Sequence, residues 1–227
     1  MERNIYSLKG YSIEATDGAI GEVEDFYFDD ETWTIRYFVV KTGGWFSGDK
    51  VLISPVALPK EDMANRLFHV NLTKEQVQGS PNIDTDKPVS RQQEAMLNQH
   101  HFWQNYWGSG SYGGEMSIPN ARPVRVKAID RDPNEDIHLQ SIMQVGGYAI
   151  HASDGEIGHV NDFIIDDQTW QLLYLVVDTH DWLGGKKVLI DVNHVLSISF
   201  ISLRVSIDIS KAEIKESRLF EETEYSH

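Results

Sequence analysis

The 227-residue chain has no cysteine, which excludes disulfides, thiolate metal sites and thiol-based catalysis together. Long apolar runs are missing too. The longest is Leu172 to Val177, six residues, against the ~18 that a spanning helix needs. The opening residues, MERNIYSLKG, carry no apolar core of the signal-peptide kind, so a cytoplasmic protein without a membrane span is expected. Positive charge is scarce: 20 Lys and Arg stand against 35 Asp and Glu, a formal net charge of −15. Nucleic-acid binding draws its affinity from cations that neutralise phosphates, so no nucleic-acid partner is expected. Catalytic signatures are absent as well. No HxH or HExxH spacing, Gly-rich phosphate loop, nucleophile elbow or Ser/His/Asp arrangement can be assembled from the motifs present. Neither an enzyme nor a cofactor is expected.

What the chain does have, it has twice. Gly10 to Ile53 and Gly147 to Ile190 align without a gap at a constant offset of 137, with 25 identities in 44 positions. A repeat of this length is a small domain rather than one turn of a solenoid. Three segments follow: residues 1–80 as a first domain, 81–139 as a linker, and 140–227 as a second domain. Each copy carries its own set of alternating strands, so each is expected to fold alone.

Within each copy Tyr11, Ile13 and Ala15 alternate with polar residues, as a half-buried strand does. Asp17-Gly18 and Asp154-Gly155 are hairpin signals, because glycine accepts the positive φ of the turn. Asp25 and Asp162 then fall in phase with apolar neighbours. Either a bulge turns each outward, or each is buried and bonded to backbone donors. Asp29-Asp30-Glu31-Thr32 and Asp166-Asp167-Gln168-Thr169 predict turns with Asx chemistry. Trp33, Ile35, Tyr37 and Val39 predict one face of the next strand, and Trp170, Leu172, Tyr174 and Val176 repeat it. Trp45 and Trp182 sit in the following loops. Ile201, Leu203, Val205, Ile207 and Ile209 alternate with polar residues, with no evident turn at Ser199 to Ser202. Thr73 to Gln76 and Ser210 to Glu213 fit the capping-box pattern of a helix start. Several short strands with turn signals and a terminal helical turn describe a small antiparallel barrel, twice.

The linker reads differently. A helix is predicted from Ser90 onward, through His100, His101, Phe102, Trp103, Tyr106 and Trp107, to the Gly-Ser run at 108–114. On a helix Phe102 and Tyr106 stand at i, i+4, as do Trp103 and Trp107, giving adjoining aromatic stripes. These four residues are the candidate packing or partner surface, within one chain or between two as a homodimer, since Trp and Tyr are favoured at interaction hot spots. The doubled acids could hold a hard cation, but an Asp-stabilised hairpin turn is the expected reading. His151, His159, His180 and His194 fall where the first copy has Glu14, Glu22, Gly43 and Ala57, the free substitution of surface positions. No metal site is expected.

The frame GxxIGxVxDFxxDDxTWxxxYxVVxT, closing on KVLI, resembles the PRC-barrel family across most of both copies. The segment IDTDKPVSRQQEAMLNQHHFWQNYWG resembles the tail that follows the first barrel in bacterial tandem members. The resemblance implies a mainly β protein with two PRC-type barrels from an internal duplication, joined by a helix-containing linker. It also implies docking rather than catalysis. Known members are the cytoplasmic domain of the photosynthetic reaction centre H subunit and the C-terminal barrel of the ribosome-maturation factor RimM. The expectation is a bacterial adaptor or assembly module with a protein partner, H-subunit-like without the membrane helix. The alternatives are a RimM-like RNA or ribosome-assembly factor and, third, a metal-dependent hydrolase.

Overall fold

The computed structural model describes residues 1–43, 50–58, 65–80, 89–103, 137–179 and 184–225. The first copy runs β1 (Glu2–Asn4), a 3-10 turn (Ile5–Leu8), β2 (Ser12–Ala15), β3 (Gly18–Asp29), β4 (Thr34–Thr42), β5 (Lys50–Ile53), a 3-10 turn (Pro55–Ala57), β6 (Leu67–His69) and α1 (Lys74–Gln78). After β7 (Val89–Ser90) and α2 (Arg91–His101) the second copy repeats the order. It runs β8 (Ile137–Ser141), α3 (Ile142–Val145), β9 (Ala149–Ala152), β10 (Gly155–Asp166), β11 (Gln171–Asp178), β12 (Lys187–Asp191), β13 (Val195–Ser199), β14 (Arg204–Ile207) and α4 (Lys211–Lys215), and α5 (Glu222–Tyr225) ends it. The loops with Trp45 and Trp182, and the linker from 104 to 136, lie outside the described residues.

Local chemistry sets the hairpins and helix starts. Gly18 and Gly155 take φ of 128° and 131° at the turns between β2 and β3 and between β9 and β10. The preceding aspartates reach further. Asp17 Oδ1 accepts the Lys74 N–H at 2.8 Å, and Asp154 Oδ1 accepts the Lys211 N–H at 2.9 Å, tying each hairpin to a helix start. Thr73 with Gln76, and Ser210 with Glu213, form the reciprocal capping boxes.

Two bulges recur in each long hairpin. Val23 pairs with Val40 and Asp25 with Val39, leaving Glu24 extra; Tyr27 pairs with Tyr37 and Phe28 with Ile35, leaving Arg36 extra. The β10–β11 ladder shifts at the equivalent Asn161 and Leu173. An extra residue reverses the side-chain alternation. The single face expected from Trp33, Ile35, Tyr37 and Val39 is therefore split. Trp33 and Ile35 join Phe38 and Val40 in the main core, while Tyr37 and Val39 turn to the outer face. The same shift separates Asp25 and Asp162 from the core-facing Val23 and Val160.

The strands form one connected sheet, in the order β13-β14-β9-β10-β11-β4-β3-β2-β6, with β1, β5, β7, β8 and β12 branching from it. It is not purely antiparallel: β2 pairs with β6, and β9 with β14, in parallel. Among the described residues the ladder does not close on itself in either copy. Equivalent backbone bonds run from Asn71 N–H to Ala57 O and from Asp208 N–H to His194 O, both 2.9 Å, the second continuing the β13–β14 ladder.

The leading strands of the two copies are exchanged. β1 lies on β10 of the second copy, with Glu2, Arg3 and Asn4 opposite Asp166, Ile165 and Ile164. β8 lies on β3 of the first, with Leu139, Gln140 and Ser141 opposite Asp29, Phe28 and Tyr27. Adding 137 to one set of partners gives the other, so the arms are related by a two-fold pseudo-symmetry. Its axis passes the single bridge between β4 and β11, Thr34 to Gln171, residues that are themselves equivalent. Beside it Ile35 donates to Trp170 O at 2.8 Å and Leu172 to Trp33 O at 2.7 Å. Trp33 and Trp170 hold φ of 53° and 58°, a region that L residues seldom occupy, and each indole is largely or partly buried. Trp170 packs across the boundary on Phe38 (4.9 Å) and Phe68 (6.1 Å), and Phe28 meets Phe163 at 5.9 Å. One continuous apolar core contains side chains of both copies, from Ile5 to Ile214.

Candidate interaction surface

The outer face of the first copy presents Tyr27, Tyr37, Val39 and Leu52, and α2 covers it. Leu97 is the apolar anchor, and Leu139 of β8 completes the cluster. The Tyr37 hydroxyl lies 2.9 Å from both Glu94 Oε1 and Asn98 Oδ1 and donates into that pair. All three side chains are buried, so the helix is held by polar specificity as well as apolar area. Burial, then the Glu94 carboxylate beside it, holds the Tyr37 phenol well above its ordinary pKa.

Helix α2 ends at His101, earlier than the sequence suggests. Phe102 adopts φ of 58° and stands 92% exposed, while the Trp103 N–H returns to Asn98 O at 2.8 Å. The left-handed residue breaks the i, i+4 register, so Phe102 and Trp103 do not continue the helical stripes. Trp103 packs instead on Tyr37 (6.4 Å) and stacks on His101 (4.3 Å). His101 Nε2 lies 2.7 Å from Ser80 Oγ, and His100 Nε2 lies 3.0 Å from Gln76 O. Burial, with His100 adding to it, lowers the His101 pKa to about 4, so this ring is neutral near pH 7. Tyr106 and Trp107 lie outside the described residues. In the second copy Phe220 and Tyr225 cover the equivalent outer face, Ile164, Val176 and Leu189, with their rings stacked at 5.5 Å.

The two in-phase aspartates fulfil both readings offered for them. Asp25 accepts from Ser141 Oγ at 2.5 Å and from Met143 N at 3.0 Å, capping the exchanged arm at α3. Asp162 accepts from its neighbour Phe163 N at 2.7 Å, and from the Tyr6 N–H and the Asn4 side chain of the other arm. Each copy thus caps the arm of the other. Desolvation pushes both carboxyls up, Asp162 to about 7, against the hydrogen bonds that lower them. The Tyr6 phenol is pushed to about 12, first by burial and then by Asp162 and Asp25.

The remaining described candidates resolve into turns and side-chain pairs, with Asp29 and Asp30 buried. Asp29 Oδ1 accepts from Glu31 N and Thr32 N, and Asp166 Oδ1 from Gln168 N and Thr169 N, as Asx turns do. Asp30 accepts from Gln140, and Asp167 binds the Met1 ammonium at 2.7 Å and Arg3 at 3.3 Å. His151 of β9 stands beside Glu156 at 3.2 Å, and His194, in the turn before β13, beside Asp208 at 2.9 Å; His180 lies outside the described residues. Among the described residues no group of three or more His, Cys, Asp or Glu is placed to hold a metal ion, and no helix is long and apolar enough to cross a membrane.

One apolar surface was missed. The β13–β14 hairpin turns through Phe200 to Leu203, with Leu203 at φ of 51° and the Ser202 N–H bonded to Ser199 Oγ at 3.2 Å. The expected long strand is therefore a tight turn followed by the short β14. Ile201 is 93% exposed at its tip, with Phe200 and Leu203 exposed beside it and Leu196 exposed at the far end of β13. The available signal was the uncharged run VLSISFISL, residues 195–203. At the equivalent of Leu203 the first copy has the exposed Arg66, also left-handed at 55°, with its guanidinium 5.3 Å over the Tyr11 ring.

The family model of the PRC-barrel domain matches residues 1–77 and 146–214. An uncharacterized protein of Deinococcus radiodurans is 33% identical over 111 residues, covering 44% of this chain and 40% of that protein. The chain thus spans well under two thirds of that relative's length. The two family matches fall on the two copies and together take in well over half of the sequence: the chain belongs to the PRC-barrel family.

Proposed function

We propose that this chain is a non-enzymatic bacterial adaptor or assembly module, built from two PRC-barrels that arose by internal duplication. It docks a protein partner in the cytoplasm, in the manner of the reaction centre H subunit's cytoplasmic domain without its membrane helix. The observation that carries this reading is the distribution of exposed side chains. Asp29, Asp30, Asp166 and Asp167 are engaged in turns and pairs, and His151 and His194 each stand beside a carboxylate, while Phe200, Ile201 and Leu203 stand in solvent on one hairpin. Large apolar side chains grouped in water mark interaction sites, and an acidic surface around them keeps the protein soluble. The net charge of −15 speaks against the RimM-like alternative.

The test is a pull-down from lysate with tagged protein, with and without RNase, beside an F200S/I201S variant. A partner retained after RNase and lost by the variant supports docking at this hairpin. A partner lost on RNase treatment would replace the reading with RNA-dependent assembly. Stoichiometric metal in the purified protein, with hydrolytic activity that follows it, would replace it with the hydrolase.

A further inference from the structure

We propose that the arm-and-socket face of each copy is a docking surface for a second copy of the same fold, so that a first half released from its own second half pairs with another first half. This inference concerns the boundary between halves and does not depend on the adaptor reading. The boundary is isologous: β1 on β10 mirrors β8 on β3, residue for residue at the offset of 137. An interface in which residue i meets j and j meets i is the form that two identical chains make.

The socket is incomplete when empty. The Tyr27–Asp29 end of β3 pairs with β4 on one side and with β8 on the other. Without β8 it is an open edge beside a fully buried Phe28. Asp25 loses the Ser141 hydroxyl and Met143 N–H, its donors from the arm, and Asp162 loses the Tyr6 N–H and the Asn4 side chain. Trp33 and Trp170 lose the backbone donors Leu172 and Ile35. All these partners lie more than 100 positions apart, and none belongs to residues 104–136. These contacts tie the halves through the interface rather than through neighbouring positions in the chain.

The arm of the first half fits its own socket. Asn4 and Ser141 are the equivalent cap residues, each accepting an N–H three positions on, from Ser7 and Gln144. Ile5 and Leu8 match Ile142 and Val145 as its buried apolar pair. Arg3 would meet Asp30, the equivalent of its present partner Asp167.

The experiment starts from the full chain, with a protease site placed in the 108–114 run and cut after purification. Light scattering on the eluting peak should give one species near the uncut 25.9 kDa. The halves are then separated in urea by an affinity tag and refolded by dilution. The first half alone should elute at twice its own mass with a β-rich spectrum, and shift to a one-to-one complex when the second half is added. Cut halves that part into folded monomers overturn the proposal. So does a first half that refolds as a monomer, or one that stays unfolded until the second half arrives. As a second measurement, D25A/D162A in the cut protein should raise the concentration at which the halves separate at least tenfold. An unchanged midpoint counts against the arms as the seat of binding.

Discussion

Replacing Asp162 by Asn should flatten the pH dependence of folding stability between pH 4 and 7. In the folded chain burial raises this carboxyl from 3.8 to about 7, so over that window the native state holds a proton that the unfolded state has released. Stability from this group is then fully present below pH 4 and is lost as pH rises through 7. A span of about three pH units corresponds to roughly 4 kcal/mol at most, at 1.36 kcal/mol per unit. The Phe163 and Tyr6 N–H groups and the Asn4 side chain all donate to the charged form, and Lys187 also favours it. They reduce the loss without reversing it. Asn keeps the shape of Asp and cannot ionise, though its single acceptor oxygen adds a pH-independent cost. The informative quantity is therefore the difference in slope between variant and parent, which also cancels the repulsion among the remaining charges. Urea midpoints measured at half-unit intervals from pH 4 to 8 supply it. Parallel curves for the two proteins would refute the argument, as would a parent whose excess stability over the variant grows with pH.

Other expectations follow from particular contacts. A Cβ at Gly21 would overlap the Lys41 carbonyl oxygen, and one at Gly158 that of Asp178, so G21A and G158A should each cost about 3 kcal/mol in denaturant titration, since backbone cannot give way cheaply. Y37F removes the hydroxyl between buried Glu94 and Asn98 and should cost about 2 kcal/mol, with α2 losing protection in hydrogen exchange. I201S should leave the melting curve within about 0.5 kcal/mol of the parent, because its side chain is almost wholly in water. No salt-sensitive RNA binding below micromolar concentration should appear in a filter assay of a chain this acidic.

Much of the fold was legible wherever the deciding chemistry is local. The Asp-Gly hairpins, the Asx turns and the two capping boxes each depend on residues within four positions of one another, and all are present. The bulges at Arg36 and Leu173 were not legible, because Ile35, Tyr37 and Val39, like Leu172, Tyr174 and Val176, keep a period of two straight through the shift. The exchanged arms were hidden for a different reason. Glu2–Asn4 and Ile137–Ser141 are short and mixed in composition, and their partners lie more than 100 residues away. Of the candidate surface, an aromatic group near Trp103 was visible, but Phe102 leaves the helix through a left-handed turn that nothing in a phenylalanine announces. The exposed hairpin was read as a strand, since Ile201 and Leu203 keep its period of two on a turn.

The two-fold relation between the copies bears on how many partners one molecule holds. In a dimer of identical chains every substitution is made twice, and an apolar tip on one side has a twin on the other. Two such tips facing apart let each partner bridge two molecules, and bridging repeated end to end gives a filament rather than a closed complex. Two copies on one polypeptide are free of that constraint. Leu203 is free to differ from Arg66: the second copy exposes Phe200, Ile201 and Leu203 at its turn, and the first has Asn65 and Arg66 in place of Ser202 and Leu203. Met63 and Ala64, the equivalents of Phe200 and Ile201, lie outside the described residues. One chain then need not present the same tip twice.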